Sequence, residues 1–206
     1  MLLWAGVALI VLGFLCFAAD RRTAWFFYAH VGAGLRRFVS RITDLAKGAH
    51  WLAIDLAALL ISWVALTFDP GSGIFRALLM YALAFFLSLG AGSAVLHGLK
   101  LLLCRRRPRD QFELGLYGFL PFRFEWQYDS FPSGHALTIV TVAVIVSCAF
   151  PQLALLWFAI AALLSLTRAI ITSHYLSDVF VGAGMGLIAS REVIVWIFPL
   201  LARPWF

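Results

Sequence analysis

Six long apolar runs limit the fold of this chain more than any other feature. Hydrophobic residues make up 63% of the 206 residues and charged residues only 13%, so polar side chains are too few for an ordinary soluble domain. The same composition excludes a disordered chain and a disulfide-rich scaffold. In chain order, the apolar runs cover residues 2–19, 51–68, 74–103, 136–150, 153–167 and 179–201.

Most runs approach the roughly 20 residues that a helix needs to cross about 30 Å of hydrocarbon. They lack the alternation of barrel strands, and a helix satisfies its own backbone hydrogen bonds in lipid. We therefore predict an all-α fold, an integral membrane bundle of six transmembrane helices that forms a single domain over residues 1–206. The first run lacks the basic leader of a signal peptide, and we expect it to be retained as a span.

The segment between the first two runs is amphipathic. Apolar side chains recur there at three- and four-residue spacing, while arginine and lysine fill the opposite face. We predict an amphipathic helix that lies either in the membrane interface or across the end of the bundle. Its apolar positions are Tyr28, Val31, Leu35, Phe38, Ile42 and Leu45.

Five cations cluster where the third run ends, at Lys100, Arg105, Arg106, Arg107 and Arg109. Lys100 and Arg107 are seven residues apart, so they face the same way if the helix continues. The proline after Arg107 would then stop that helix. The cluster is either an ordinary basic stop at a membrane interface or part of an anion site.

The fourth run begins directly after the sequence Phe-Pro-Ser-Gly-His, which ends at His135. Ser133 is a favourable N-cap residue, and Gly134 allows close approach to the backbone. The free N–H groups and the dipole of a helix start favour an anion. His135 lies in the first turn, beside any anion that binds there, although an interfacial histidine after a simple cap would give the same pattern.

A third polar segment, between the fifth and sixth runs, holds Arg168, His174 and Asp178. His174 and Asp178 are four residues apart, which would place them on one helix face. A carboxylate there holds one ring nitrogen and leaves the other free to attack, although a structural His–Asp pair has the same spacing. We expect Arg168 to project from the end of the fifth span.

Alternating spans place these three segments on the same side of the bundle. Three cations are suited to a tetrahedral oxyanion, and two histidines can supply a nucleophile and an acid. The segments contain no carboxylate cluster for two-metal hydrolysis. The three cysteines are scattered and predict neither a zinc site nor a disulfide framework.

The three segments resemble the motifs of the type-2 phosphatidic acid phosphatase family. Lys100 through Arg107-Pro108 is similar to its K-x6-RP motif, and residues 132–135 read PSGH. The third segment resembles SR-x5-H-x3-D, except that Thr167 stands in place of the serine. A hydroxyl group is kept there, so we expect activity to be retained.

This resemblance implies a metal-independent phosphatase. His174 would attack phosphorus and form a phosphohistidine, Asp178 would orient His174, and His135 would protonate the leaving oxygen and then activate water. The resemblance implies no metal or other cofactor, a membrane lipid as substrate within the bilayer, and no nucleic-acid partner. The phosphoryl oxygens would be bound by Lys100, Arg107, Ser133, Gly134 and Arg168.

Several substrates and activities remain open from the sequence. Phosphatidate, phosphatidylglycerophosphate, isoprenyl diphosphates such as undecaprenyl diphosphate, and lipid A phosphate all fit the motifs. The alternatives are a lipid phosphotransferase, a phosphatase for soluble phosphates and, from a different class, an anion transporter. The loop over residues 109–131 carries eight aromatic side chains, which either anchor it in the interface or line a route for a lipid tail.

The charge distribution and the family resemblance disagree about orientation. Thirteen of the 16 lysines and arginines fall on the predicted active-site side, which by the positive-inside rule would face the cytoplasm. The resemblance implies a plasma or inner membrane protein whose active site faces outside the cytoplasm, and we favour it. Four further polar residues lie within the apolar runs and receive no role from the sequence: Asp55, His97, Arg191 and Glu192.

Overall fold

A computed structural model of the chain describes residues 1–125 and 127–206. This described part is helical, with isolated β-bridges in place of a sheet. The prediction of an all-α membrane fold is confirmed. The helices are α1 (Leu2–Cys16), α2 (Asp20–His30), α3 (Ala33–Thr43), α4 (Gly48–Phe68), α5 (Gly73–Leu103), α6 (Pro108–Leu114), α7 (Gly134–Ala149), α8 (Ala154–Ile170) and α9 (Leu176–Ile197).

Helix α9 lies at the centre of the bundle and packs against α1, α5, α7 and α8. Small residues on α9 let its neighbours approach closely. A Cβ atom on Gly184 would lie 2.6 Å from the Gly6 carbonyl oxygen of α1, and one on Gly182 would lie 2.3 Å from the Ser133 carbonyl oxygen. Both distances are far below van der Waals contact, so the packing of α9 depends on glycine at these positions.

The number of spans differs from the number of apolar runs. In the described residues, four stretches are long and apolar enough to cross a bilayer: Ala33–Phe68, Gly73–Leu103, Pro151–Ile170 and Leu176–Ile197. Helices α1 and α7 have 15 and 16 residues, about 22–24 Å of helix, which is short for a bilayer core. An integral membrane bundle is confirmed, and the count of six spans stays a prediction.

The amphipathic segment is divided into two helices rather than one. Helix α2 turns by 81° from α1, and the chain is extended at Val31 and Gly32 before α3 begins. Helix α3 packs against α8, while its apolar side chains Leu35 and Phe38 are exposed. Exposed apolar side chains on this helix favour the interfacial position over a position across the end of the bundle.

The expectation that one helix carries both Lys100 and Arg107 is wrong. Helix α5 ends at Leu103, and Cys104 takes a left-handed conformation with φ 44°. Pro108 does not stop α5 but begins the short helix α6, at the position where a missing N–H costs nothing. The chain leaves the helix at Cys104 because Arg105 turns inward, forming isolated β-bridges with Phe119 and Asp129.

We expect the Gly182→Ala variant to be less stable than the wild type, because the added methyl group must displace the backbone of Ser133. Overpacking of this kind costs about 1–3 kcal/mol. The matched control is Gly90→Ala on α5, where a Cβ atom meets nothing within 4 Å. This control should be neutral or slightly stabilising, because alanine is the better helix former. Thermal unfolding in detergent checks both, and equal midpoints for the two variants would contradict this packing.

Candidate active site

A cavity of about 370 Å³ lies between α4, α5 and α7, at the end of the bundle where α8 and α9 meet. It contains most of the site residues predicted from the sequence: Lys100, Arg107, Gly134, His135, Arg168 and His174. Leucines 52, 89 and 96 form its apolar wall. Ser133 and Asp178 are fully buried directly behind this lining. The three motif segments therefore come together around one space.

His174 is held in a defined tautomer. Its side chain is 3% exposed, and its Nδ1 atom lies 2.7 Å from the backbone carbonyl oxygen of Ser130. A carbonyl oxygen only accepts, so Nδ1 carries the hydrogen and Nε2 keeps a free lone pair. Burial lowers the pKa of His174, although nearby Asp178 opposes that shift. The neutral imidazole is therefore the form present at neutral pH, and it is the nucleophilic form.

The expected helix-face pairing of His174 with Asp178 is wrong, because α9 begins only at Leu176. The Oδ2 atom of Asp178 lies 3.6 Å from Nδ1 of His174, which is beyond hydrogen-bond distance. This oxygen instead accepts hydrogen bonds from the Tyr175 N–H at 2.8 Å and from the Ser130 hydroxyl at 2.6 Å. Asp178 thus fixes Tyr175, which follows the histidine in the chain, and Ser130, whose carbonyl oxygen contacts the histidine Nδ1.

Arg105 was part of the predicted basic cluster but not of the predicted site. Its side chain is fully buried, with Nη1 2.5 Å from Asp178 and Nη2 2.7 Å from Asp20. The hydroxyl groups of Ser177 and Tyr117 accept two further hydrogen bonds, at 2.6 and 3.0 Å. Aromatic rings surround the guanidinium group within 6.0 Å, from Phe17, Tyr117, Phe119, Phe131 and Tyr175.

Asp20 completes this buried network from α2, and sequence reasoning missed it. Its carboxylate accepts hydrogen bonds from the Ser177 N–H at 3.1 Å and from the Ser177 hydroxyl at 2.5 Å. It therefore ties α2 to the start of α9. The sequence contained one indication of this network: the basic cluster has more arginines than the phosphate motif uses, so at least one of them was available for a buried ion pair.

Lys100 and Arg107 meet at Asp129, another residue that sequence reasoning did not select. Lys100 donates from Nζ to the backbone carbonyl of Asp129, and Arg107 Nε lies 2.8 Å from Asp129 Oδ1. Although burial opposes the shift, Lys100 and Arg107 lower the pKa of Asp129. An ionised carboxylate therefore lies between the two cations and holds them at the cavity.

Three buried polar atoms around the cavity have no hydrogen-bond partner in the described structure: Ser133 Oγ, His135 Nε2 and Arg168 Nε. Ser133 occupies the N-cap position of α7, but its hydroxyl makes no capping bond. Leaving a buried polar group unsatisfied costs about 1–3 kcal/mol. Unpartnered polar atoms on two converging segments, residues 132–135 and the end of α8, are the pattern expected of a binding site for an oxyanion.

Five aromatic residues of the loop fall into two groups. Tyr117, Phe119 and Phe131 pack around Arg105, so they belong to the support of the site rather than to a membrane anchor. Phe122 and Phe124 are 71% and 53% exposed, which suits interfacial anchoring. Trp126, which the sequence placed with these aromatics, lies outside the described residues.

Sequence relatives point to phosphatases. The chain is 34% identical over 88 residues to a protein of Rhizobium etli named lipid A 1-phosphatase, and 34% identical over 88 residues to a protein of the same name from Rhizobium johnstonii. Each alignment covers 43% of this chain, but only 38% and 36% of the respective relatives. The chain thus matches well under half the length of these relatives.

A solved structure shares the fold. It is described as the crystal structure of the first transmembrane PAP2 type phosphatidylglycerolphosphate phosphatase from Bacillus subtilis. The TM-score is 0.67 at 20% sequence identity, with 98% of this chain and 100% of that chain covered. Residues 81–201, well over half of the chain and including all three motif segments, match the family model of the PAP2 superfamily. The chain therefore belongs to the PAP2 superfamily.

Proposed function

We propose that this protein is a membrane-bound lipid phosphate phosphatase that works through a phosphohistidine intermediate. The observation that carries this proposal is the neutral His174, with Nε2 free, in one cavity with three cations and two further histidines, His97 and His135. Membership of the PAP2 superfamily and the phosphatase names of the relatives support it. The substrate would be a phosphomonoester or diphosphate on a lipid headgroup.

The first step would transfer the phosphoryl group to His174. The phosphoryl oxygens would be bound by Lys100, Arg107 and Arg168, the Gly134 N–H and the Ser133 hydroxyl. Nε2 of His174 would attack phosphorus while the bond to the lipid oxygen breaks, and His135 would give that oxygen a proton. The positive charge that forms on His174 would be stabilised by Asp178, 3.6 Å from Nδ1.

The second step would release phosphate. His135, now neutral, would take a proton from a water molecule, and the resulting oxygen would attack the phosphohistidine. The P–N bond would break with its electron pair returning to Nε2, which restores the neutral imidazole and frees inorganic phosphate. Each proton and electron pair in both steps is handled by the two histidines, so we expect the reaction to need no metal or other cofactor.

A lipid substrate suits the setting of the cavity. The cavity combines cations with an apolar wall from α4 and α5, two helices of the membrane bundle. A phosphate group would lie against the cations while the attached hydrocarbon remained in the bilayer. The names of the relatives do not identify one lipid as the substrate, because their alignments cover only part of each chain.

We expect His174→Ala to lower turnover at least about a thousandfold, because it removes the nucleophile. The matched control is His30→Ala, an exposed histidine of α2 away from the cavity, which should keep wild-type turnover. Phosphate release from a panel of lipid and soluble phosphates in detergent gives the measurement and separates the substrate classes. Turnover in detergent also distinguishes an enzyme from an anion transporter. Near-normal turnover in a folded His174→Ala protein would overturn the proposed mechanism.

We further propose that the active site faces outside the cytoplasm, in the plasma or inner membrane. The family resemblance supports this orientation, whereas the 13 lysines and arginines on the active-site side oppose it by the positive-inside rule. Several of those cations form ion pairs within the fold. Arg105 is paired with Asp20 and Asp178, and Lys100 and Arg107 share Asp129. These cations therefore have roles in the site, but ion pairing does not remove them from the positive-inside count, which is not a net-charge rule.

Orientation is testable by labelling in intact cells with a membrane-impermeant maleimide. A cysteine introduced as Phe122→Cys, at an exposed position of the active-site side, should be labelled without permeabilisation. Gly71→Cys, in the exposed turn between α4 and α5, lies on the opposite side and should be labelled only after permeabilisation. The parent protein, with its three native cysteines, gives the background. The reverse pattern would place the active site in the cytoplasm.

A further inference from the structure

A second cavity continues the active-site cavity into the membrane. Its volume is about 160 Å³, and it lies between the same three helices, α4, α5 and α7. The lining passes from Leu52 to Asp55 on α4 and from Leu89 to Phe85 on α5, one helical turn in each case. On α7 the lining continues to Val142. The two cavities therefore follow one another along a single groove, and the second is called the lower groove below.

Asp55 is the one carboxyl group among the residues that line the lower groove. It is 6% exposed, and its Oδ2 atom is buried without a hydrogen-bond partner in the described structure. The other polar side chains of the lining are engaged elsewhere. The Trp51 N–H donates to the Leu45 carbonyl at 2.6 Å, and the Tyr81 hydroxyl donates to the Cys148 carbonyl at 3.4 Å.

An unpartnered acceptor in an apolar groove points to a hydrogen-bond donor on the ligand. Burial of a carboxyl oxygen without a partner is costly, and a water molecule needs two to four polar partners that this lining does not offer. A hydroxyl or amide group supplies the O–H or N–H that Asp55 Oδ2 can accept. Plain acyl chains and ester groups supply no donor, so a simple diacyl lipid would leave this oxygen unsatisfied.

The position of Asp55 indicates where on the lipid the donor lies. Gly48 lines the active-site cavity, and Asp55 follows it by seven residues, which is about 10 Å along α4 at 1.5 Å per residue. A phosphate held by the cations would therefore place Asp55 beside the first few carbons of an acyl chain. A donor in the headgroup would be too near the phosphate, and one near the methyl end would be too far from it.

We propose that Asp55 determines specificity for lipid phosphates that carry a hydroxyl or amide donor near the carboxyl end of an acyl chain. The proposal rests on the proposed lipid phosphatase activity and narrows its substrate class. Asp55 touches no reacting atom in this scheme. Its Oδ2 atom gains a hydrogen bond only from a lipid that carries the donor. The effect of Asp55 is therefore a difference in kcat/KM between lipids with and without the donor.

The test uses two matched lipids in detergent micelles: dimyristoyl phosphatidate, and the same lipid with a hydroxyl group on the β-carbon of each acyl chain. We expect the wild-type protein to favour the hydroxylated lipid in kcat/KM by roughly tenfold, the effect of one buried hydrogen bond. Asp55→Leu should abolish this preference, and Asp55→Asn, which keeps one acceptor oxygen, should retain part of it.

The matched control is Ser62→Ala. Ser62 is also buried on α4 with an unpartnered hydroxyl, but it does not line the lower groove, so the control should keep the full preference. The wild-type comparison does not depend on the folding of any variant, and size-exclusion chromatography checks the variants. Equal kcat/KM for the two lipids would overturn this inference while the proposed phosphatase stands. A preference that persists in Asp55→Leu would overturn the role of Asp55. No phosphate release from either lipid would overturn this inference, and the proposed phosphatase would fall with it if the whole panel of phosphates also released none.

Discussion

The buried ion pairs of Arg105 hold the rest of the site in place. One guanidinium group joins Asp20 of α2 to Asp178 of α9, and all three side chains are fully buried. Burial of such charges is expensive, and removal of one partner from a buried pair costs about 3–5 kcal/mol. Hydroxyl groups and carboxylates satisfy Nη1 and Nη2 of Arg105, while Nε has no hydrogen-bond partner in the described structure and aromatic rings surround the guanidinium group. This network fixes the start of α9, from which the histidine of the proposed mechanism is positioned.

Some polar groups of the site have hydrogen-bond partners within the fold, and others have none. This difference separates the groups that support the site from those proposed to bind the substrate. Behind the cavity, Asp178 is held by Arg105, Ser130 and the Tyr175 N–H, and Ser130 in turn fixes the tautomer of His174. Facing the cavity, His135 and the Arg168 Nε atom remain unpartnered. Preorganised stabilisation of an oxyanion requires binding groups without other hydrogen-bond partners, held in place by a hydrogen-bonded network behind them. Gly182 contributes by bringing the backbone of Ser133 against α9.

The apolar runs predicted the all-α membrane fold, and the short motifs identified most of the residues that line the cavity. Both are local features of the sequence. The partners of those residues could not be predicted in the same way. The contact of Asp20 with Arg105 spans 85 positions, and nothing near either residue indicates the other. The third apolar run and α5 both end at Leu103, but the continuation of the helix to Arg107, on which a shared face with Lys100 depended, does not occur because buried Arg105 turns the chain there. The His174–Asp178 spacing suggested a helix face, whereas the capping of α9 by Asp178 places His174 just outside the helix.

Covalent labelling of His174 is a direct test of the phosphohistidine mechanism. The purified protein is mixed with a lipid phosphate radiolabelled in the phosphoryl group, in buffer that contains a chelator, and quenched in alkali within milliseconds, since phosphohistidine survives alkali but not acid. We expect transient label on the peptide that contains His174 and no label in His174→Ala. Label on another residue, or phosphate release with no labelled protein at any quench time, would contradict a phosphohistidine mechanism at this site.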